Sequence, residues 1–409
     1  MSEESISTLK RSLSLPLITF YGIGTILGAG IYVLVGEVAG IAGLHTPFAF
    51  LLASLLALPS AFSYAELASR FPRSAGEAIY INEGLRLSPV STVVGLLIVS
   101  LGVLSTAVLT HGLVGYAGVF FQWPETLVIV TSVLIMGMIT GWGIKQSAGL
   151  AALMTVVEIA GLLLIIWVAR PGFGELPTRL PSMMPTLDAT VWAGVLLGTF
   201  VAFYAYIGFE DMVNVAEEVR NPRRNIPRAI LTAWWVTTVL YLLVATLAIM
   251  VMSPGELGET DAPLAMVYQH MTGGAPVVIT MISIVSILNG ALIQVIMASR
   301  VLYGMSRQGW LPELFGRVNP RTQTPLIATA VTTLAVLVFA LWLPIVSLAK
   351  LTSLITLTVF ALVNLSLWLI KRRDPCPPDA WIVPGWIPVS GFALSASFVM
   401  YQAWTTVTG

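Results

Sequence analysis

Gly24-Thr25-Ile26-Leu27-Gly28-Ala29-Gly30 and Phe203-Tyr204-Ala205-Tyr206-Ile207-Gly208-Phe209-Glu210 interrupt the first and the sixth of eleven long apolar runs that make up nearly the whole chain. Glycine leaves backbone amides uncovered and permits a helix to unwind. Inside lipid, such unwinding is tolerated only where it lines a cavity or where a ligand takes over the hydrogen bonding. Interruptions at corresponding places in two halves of a membrane chain point to a transporter site.

The solvent itself follows from composition. Of 409 residues, 57% are hydrophobic and only 10% are charged, against about a quarter charged in ordinary globular domains. Such a surface needs lipid, and runs of about 20 apolar residues, enough for one helical crossing, recur from Ser14 to Tyr401. The runs do not alternate as barrel strands do. If Lys10 and Arg11 lie inside and the chain changes side at every run, seventeen of the twenty Lys and Arg residues fall inside and only Arg170, Arg179 and Lys350 outside. That bias supports eleven spans. An odd count puts the carboxyl terminus outside. The formal charge of zero gives no reason to expect a nucleic acid partner. A single cysteine, Cys376, and three scattered histidines exclude an internal disulfide and a Cys/His metal cage, so no metal and no cofactor is expected. The first dozen residues are polar and lead into a run without a small-residue cleavage pattern, which reads as a retained first span.

The predicted spans are roughly 14 to 38, 46 to 69, 89 to 121, 125 to 142, 147 to 169, 190 to 214, 228 to 252, 276 to 306, 326 to 344, 347 to 371 and 385 to 405. Five spans from each interruption divide the chain into an inner amino-terminal segment 1–13, a first repeat 14–170, a second repeat 190–371 and a peripheral helix 385–405. A repeat with an odd number of spans must be inverted across the membrane. Ser74 to Tyr80 and Asp261 to Val267 then occupy equivalent places on opposite faces, each suited to a short interfacial helix.

At the first interruption, an exposed helix amino-terminus suits a carboxylate and the last carbonyls of the preceding half-helix suit a cation, so one stretch can grip a zwitterion. The same glycine spacing also serves close helix packing. In the sixth span Phe200, Phe203, Tyr204, Tyr206 and Phe209 crowd around Gly208; they either cover a substrate or fill the core. Ionisable groups at membrane depth cost a few kcal/mol and usually face a polar interior. Glu158, mid-span with no basic residue in its run, is either a carboxyl that trades a proton or a permanently protonated structural group. Glu210 follows the second break, where it can link occupancy to gating. Its neighbour Asp211 serves equally as a helix cap. Glu66 reads as an interfacial charge, and His111 as a satisfied buried histidine. Ser283, Ser286, Asn289 and Gln294 in span eight, and Thr352, Ser353, Thr356, Thr358 and Asn364 in span ten, line a cavity or join helices.

Four stretches together resemble the amino acid, polyamine and organocation transporter superfamily: Ile26 to Tyr32; Ser63 to Leu67 with Phe71 to Tyr80; Ile207 to Glu210 with Glu217 to Ile230; and Ser299 to Pro312. The resemblance implies an all-α integral membrane protein with the LeuT-like fold, a five-plus-five inverted repeat with discontinuous first and sixth helices, here with an eleventh helix and no twelfth. It implies that a substrate carboxylate meets the amides of Gly28, Ala29 and Gly30, and that its amino group meets the carbonyls of Ile26, Tyr204 and Ile207. The aromatic position of the second break falls on Tyr204, with Tyr206 and Ile207 beside it. Glu210 matches an acidic residue associated with proton-sensitive gating. Glu158 departs from many relatives, which carry lysine at that position.

The expectation is a secondary carrier in a plasma or bacterial inner membrane, not an enzyme, that moves neutral amino acids by proton symport or exchange. Its partners would be the amino acid, protons and the lipid bilayer. An antiporter of cationic amino acids or polyamines is the nearest rival, and a channel the rival of a different class.

Overall fold

The computed structural model describes residues 9–408 apart from 29, 119, 121, 122, 261, 343 and 344, and the chain it describes is almost entirely helical. In order, the helices are α1 (Leu15–Leu27), α2 (Gly30–Ala42), α3 (Thr46–Arg70), α4 (Gly76–Leu85), α5 (Ser88–Gly118), α6 (Glu125–Trp142), α7 (Ile144–Ala169), α8 (Leu176–Met183) and α9 (Ala189–Tyr204). They continue as α10 (Asp211–Asn214), α11 (Pro222–Val251), α12 (Pro254–Gly258), α13 (Pro263–Thr272), α14 (Val277–Arg307), α15 (Leu326–Trp342), α16 (Ile345–Arg373) and α17 (Trp386–Thr408). Proline stands in the first turn of α1, α3, α11, α12 and α13, where its missing amide costs nothing.

Among the described residues, eight helices are long and apolar enough to cross a membrane, and three shorter apolar helices accompany them. Each expected span coincides with one of these eleven, the first being split into α1 and α2 and the sixth ending in the break before α10. The chain is therefore a multi-pass membrane protein. Short helices form at both expected interfacial places, α4 and α13. The connections 170–190 and 253–275 contain further helical turns, α8 and α12. Ser253 and Glu256 form a reciprocal capping box that starts α12, a Ser-x-x-Glu signal present in the sequence.

Large apolar residues remain exposed on the outer surfaces of the spans, among them Leu55, Leu153, Trp167, Leu334 and Trp342. Exposure to lipid carries no hydrophobic penalty, so close packing decides what lies inside. α1 is enclosed by α7, α11 and α14, while α2 packs on α9 and α3 packs on both α11 and α9. Small residues let these backbones approach: a side chain on Gly198 would meet Ala42 at 2.8 Å, and one on Gly258 would meet Gly40 at 2.8 Å. α17 is more than a peripheral support. It packs along α16 and α3, and Phe398 stacks on Phe200 and Phe203 of α9, with ring centroids 5.5 and 6.0 Å apart.

The face rich in arginine and lysine is tied together by charge. Glu66 is not a surface charge but fully buried, because two cations and an amide converge on it: Arg70 at 2.6 Å, Lys371 at 2.9 Å and the Val383 amide at 2.8 Å. It joins α3, α16 and the approach to α17. Glu218 and Arg300 form a second pair at 3.2 Å, both fully buried. Beside it, Leu13 pairs with Val219 in an isolated parallel bridge, its amide on Glu218 at 2.9 Å and its carbonyl accepting from Arg220 at 2.9 Å. The chain just before α1 is thus fastened to the segment that follows α10.

Removing one member of a buried, paired charge set leaves the others uncompensated, a loss of about 3–5 kcal/mol. Glu66→Ala should therefore lower the thermal unfolding midpoint of the purified protein steeply. Arg179→Ala, which removes only the exposed pair with Glu175 at 2.9 Å, should leave it nearly unchanged.

Candidate functional site

The first break forms where α1 closes on itself. The Gly28 amide donates to the Gly24 carbonyl at 3.0 Å, and Gly28 then leaves the helix at φ 26°, ψ −144°, a conformation open to glycine. Ala29 lies outside the described residues, and α2 begins at Gly30 with the unpaired amides of a helix start. In the second break, α9 ends at Tyr204 and residues 205–210 turn on short-range bonds. The Tyr206 amide reaches Phe203 at 3.0 Å, the Ile207 amide reaches Tyr204 at 3.2 Å, and the Asp211 amide reaches Gly208 at 3.3 Å.

The two breaks face each other backbone to backbone. Gly208 sits at φ 132°, and a Cβ on it would lie 2.8 Å from the Thr25 carbonyl carbon and oxygen. A Cβ on Gly30 would lie 3.3 Å from the Ala205 Cα. Only residues without a side chain at Gly208 permit this approach.

Side chains of α11 and α14 supply hydrogen bonds at the breaks, and α14 also joins α7. The Tyr241 hydroxyl on α11 lies 2.7 Å from the Ile26 carbonyl and 3.1 Å from the Ala205 carbonyl, one from each break. Its single proton serves one of them at a time. From α14, the Ser286 hydroxyl donates to the Gly28 carbonyl, and Gln294 donates to Asp211 at 2.7 Å. Asn289, also on α14, donates to Thr155 Oγ1 at 3.0 Å and to Glu158 Oε1 at 2.9 Å. A Cβ on Gly24 would collide with Thr155 and Asn289, so α1 runs directly over this trio. Tyr32 of α2 donates to the Glu158 backbone carbonyl at 2.9 Å, which ties the far side of the first break to α7.

The expected residues thus fall into two groups. Ile26, Gly28, Gly30, Tyr204, Tyr206, Ile207 and Glu210 converge on the facing breaks. Glu158, fully buried on α7, lies behind α1 and reaches the break through Asn289 and the Gly24 contact. Tyr206 is buried edge-on against Tyr241, centroids 5.2 Å apart, whereas Tyr204 and Ile207 are only partly buried. Glu210 folds back so that its carboxylate accepts the Gly208 amide at 2.7 Å and holds the turn. Asp211 does not cap α10: its carboxylate is taken by Gln294, and no side chain caps that helix. Of the carbonyls expected for an amino group, Ile26 and Tyr204 already accept a protein hydrogen bond, each keeping a second lone pair.

His111 is partly exposed and sits 3.2 Å from Glu125, not satisfied in a core. The polar residues of α14 act as joints, linking α14 to both breaks and to α7. In α16, Asn364 joins α3 through Ser60 at 2.9 Å. Tyr241 was not among the expected residues, although its hydroxyl lies within reach of a carbonyl from each break; one tyrosine in a 30-residue apolar helix gives no periodic signal.

The family model for amino acid permeases matches residues 13–408. A branched-chain amino acid permease of Bacillus subtilis is 28% identical over 98% of this chain and 90% of its own length. A methylthioribose transporter of the same organism is 30% identical over 95% and 87%. A vacuolar cationic amino acid transporter of Arabidopsis thaliana is 29% identical over 92% of this chain, which spans 62% of that longer relative.

A methyl group at Gly208 would drive the breaks apart, and Gly208→Ala should lower the unfolding midpoint by the equivalent of about 1–3 kcal/mol of backbone strain. Tyr241→Phe keeps the ring and removes the shared donor, and should cost about 1–3 kcal/mol for the buried carbonyl left unpaired. Differential scanning fluorimetry of both variants against wild type checks this.

Proposed function

Because the chain belongs to the amino acid permease family, whose members are transporters rather than enzymes, we propose that it is a secondary carrier that moves amino acids across a cell membrane by alternating access around the facing breaks. The observation that carries this reading is the contact of Gly208 with Thr25, which sets two interrupted helices against each other at one place in the bundle. The five-plus-five inverted repeat of the LeuT-like fold accounts for that pairing. It also accounts for α4 after the second span and α13 after the seventh.

In this account the amides at the start of α2, Gly30 foremost, hold the substrate carboxylate, with Gly28 shaping the approach; the expected amide of Ala29 lies outside the described residues. The second lone pairs of the Ile26 and Tyr204 carbonyls, together with the Ile207 carbonyl, receive the ammonium group. Tyr204 and Tyr206 flank it. Hydrogen bonds to a charged group contribute about 1.5–3 kcal/mol each, and a helix end adds up to about 2 kcal/mol. Two such bonds and one helix end reach the about 4–8 kcal/mol of a millimolar to micromolar substrate.

Neutral amino acids fit best. Glu210 is engaged by the Gly208 amide and Glu158 by Asn289 behind α1, so neither offers a free carboxylate to a cationic side chain. The cationic rival draws on the names of the plant relatives and on Glu210 standing beside the break. It requires Glu210 to release Gly208 when substrate enters. A channel would conduct without saturation or counterflow. For coupling, Glu158 is the candidate proton carrier: among the described residues no Lys or Arg pairs with it, and a hydrogen bond from Asn289 suits either protonation state of its other oxygen. The membrane is a plasma membrane or a bacterial inner membrane.

Proteoliposomes test the reading. Labelled neutral amino acids should accumulate in empty vesicles under an inward proton gradient and collapse with a protonophore, with alanine competing better than arginine. In Glu158→Gln that accumulation should vanish while exchange into preloaded vesicles survives. Persistence of both in the variant would remove Glu158 from coupling, and arginine outcompeting alanine would favour the cationic rival.

A further inference from the structure

The buried carboxylates near the basic face are not alike. Glu66 is neutralised by Arg70 and Lys371, and Glu218 by Arg300. Glu77, in the first turn of α4, is 1% exposed and has no such partner among the described residues, and its Oε2 accepts no hydrogen bond. Its surroundings come from the helix that follows the second break. The Gly76 amide donates to the Asn214 side chain at 3.0 Å, and Val213 packs on Gly76 so closely that a Cβ there would lie 3.0 Å from the valine Cβ. Tyr64 of α3 stands edge-on to Tyr80 of α4 and to Phe209, centroids 6.4 and 5.6 Å apart. Both tyrosine hydroxyls are buried without a hydrogen-bond partner.

The charged groups around this contact are acidic on the α10 side. Glu210 and Asp211 lie in the break and in α10, both buried, and Glu217 accepts from the Ser74 amide at 3.1 Å and from Tyr303 at 3.3 Å. Arg373, the last residue of α16, meets α4 at the end opposite Glu77, where it donates to the Glu83 and Gly84 carbonyls at 2.8 and 2.5 Å. Glu77, Glu210 and Asp211 share one apolar contact without a cation, and such a group cannot hold every charge at once. Burial pushes the Glu77 carboxyl up to about 8; Glu210 adds to the rise, and its own backbone amide and Asn214 oppose it.

We propose that Glu77 is a proton-binding site of the basic face, protonated while α4 is seated on α10 and discharged to water when the two part. This rests on the transport reading, in which α10 is the inner continuation of the sixth span and must move for that face to open. The step is an acid dissociation: the carboxyl O–H bond breaks, the proton passes to water on the basic face, and a carboxylate remains. The sign follows from the seated state holding the proton. Below about pH 8 seating is favoured; as the pH on that face rises through about 8, the ionised carboxyl beside Glu210 and Asp211 loosens it.

Counterflow of a labelled neutral amino acid is measured in oriented proteoliposomes with the pH varied from 6.5 to 9 on one face at a time. Wild type should change its rate at least about threefold when the basic face is titrated and far less from the other face, since one unit of pKa difference is a tenfold change in equilibrium. Glu77→Gln should flatten that profile, and Glu77→Asp should retain it. A profile unchanged in Glu77→Gln overturns the proposal while leaving transport intact. Absence of counterflow in wild type would instead overturn the transport reading. Infrared difference spectra of the purified protein decide the site without transport: a protonated-carboxyl band that disappears near pH 8 in wild type and is missing in Glu77→Gln supports it, and a band indifferent to the substitution overturns it.

Discussion

Unwound backbone inside a membrane must find its hydrogen bonds in protein, because lipid offers none. That constraint organises this molecule. Two helices stop in mid-span, at Gly28 and at Tyr204, and the bundle around them is built to satisfy what they leave open. The Tyr241 hydroxyl stands between a carbonyl of each break, Ser286 donates to the Gly28 carbonyl, and Glu210 turns back on the Gly208 amide. The first amides of α2 have no partner within their own helix, and that is where the proposed carboxylate would bind.

The clamps differ in strength and consequence. Glycine at Gly208 allows contact with Thr25 that no side chain permits, which sets the two breaks directly against each other. α14 holds both, through Ser286 on one and Gln294 on the other, and its Asn289 connects them to Glu158. A displacement of the breaks would therefore reach the Glu158 carboxyl through Asn289. Towards the basic face Glu66 and Glu218 are held in ion pairs, whereas Glu77 has no cationic partner among the described residues.

Much of this was legible beforehand, and the reasons are physical. Length and apolarity mark spans because the bilayer has a fixed thickness, so each of the eleven apolar runs coincides with an apolar helix, eight of them long enough to cross. The breaks were visible because glycine and aromatic clusters violate the ordinary composition of a span. What escaped was whatever depends on a partner distant in sequence. Glu66 reads as a boundary charge until Lys371, some three hundred residues later, is folded onto it. Tyr241 is unremarkable until both breaks are placed beneath its hydroxyl. Asp211 has the residue type of a cap but finds Gln294 first. α8 begins in a Pro- and Gly-rich connection that composition marks only as a loop.

The most direct test is an experimental structure of the protein with a bound amino acid. The account predicts the carboxylate on the first amides of α2 at Gly30 and the ammonium group against Ile26, Tyr204 and Ile207, with Gly208 still on Thr25. Density for the amino acid away from both breaks, for instance in the outer groove lined by Met138, Trp142 and Leu334, would contradict it.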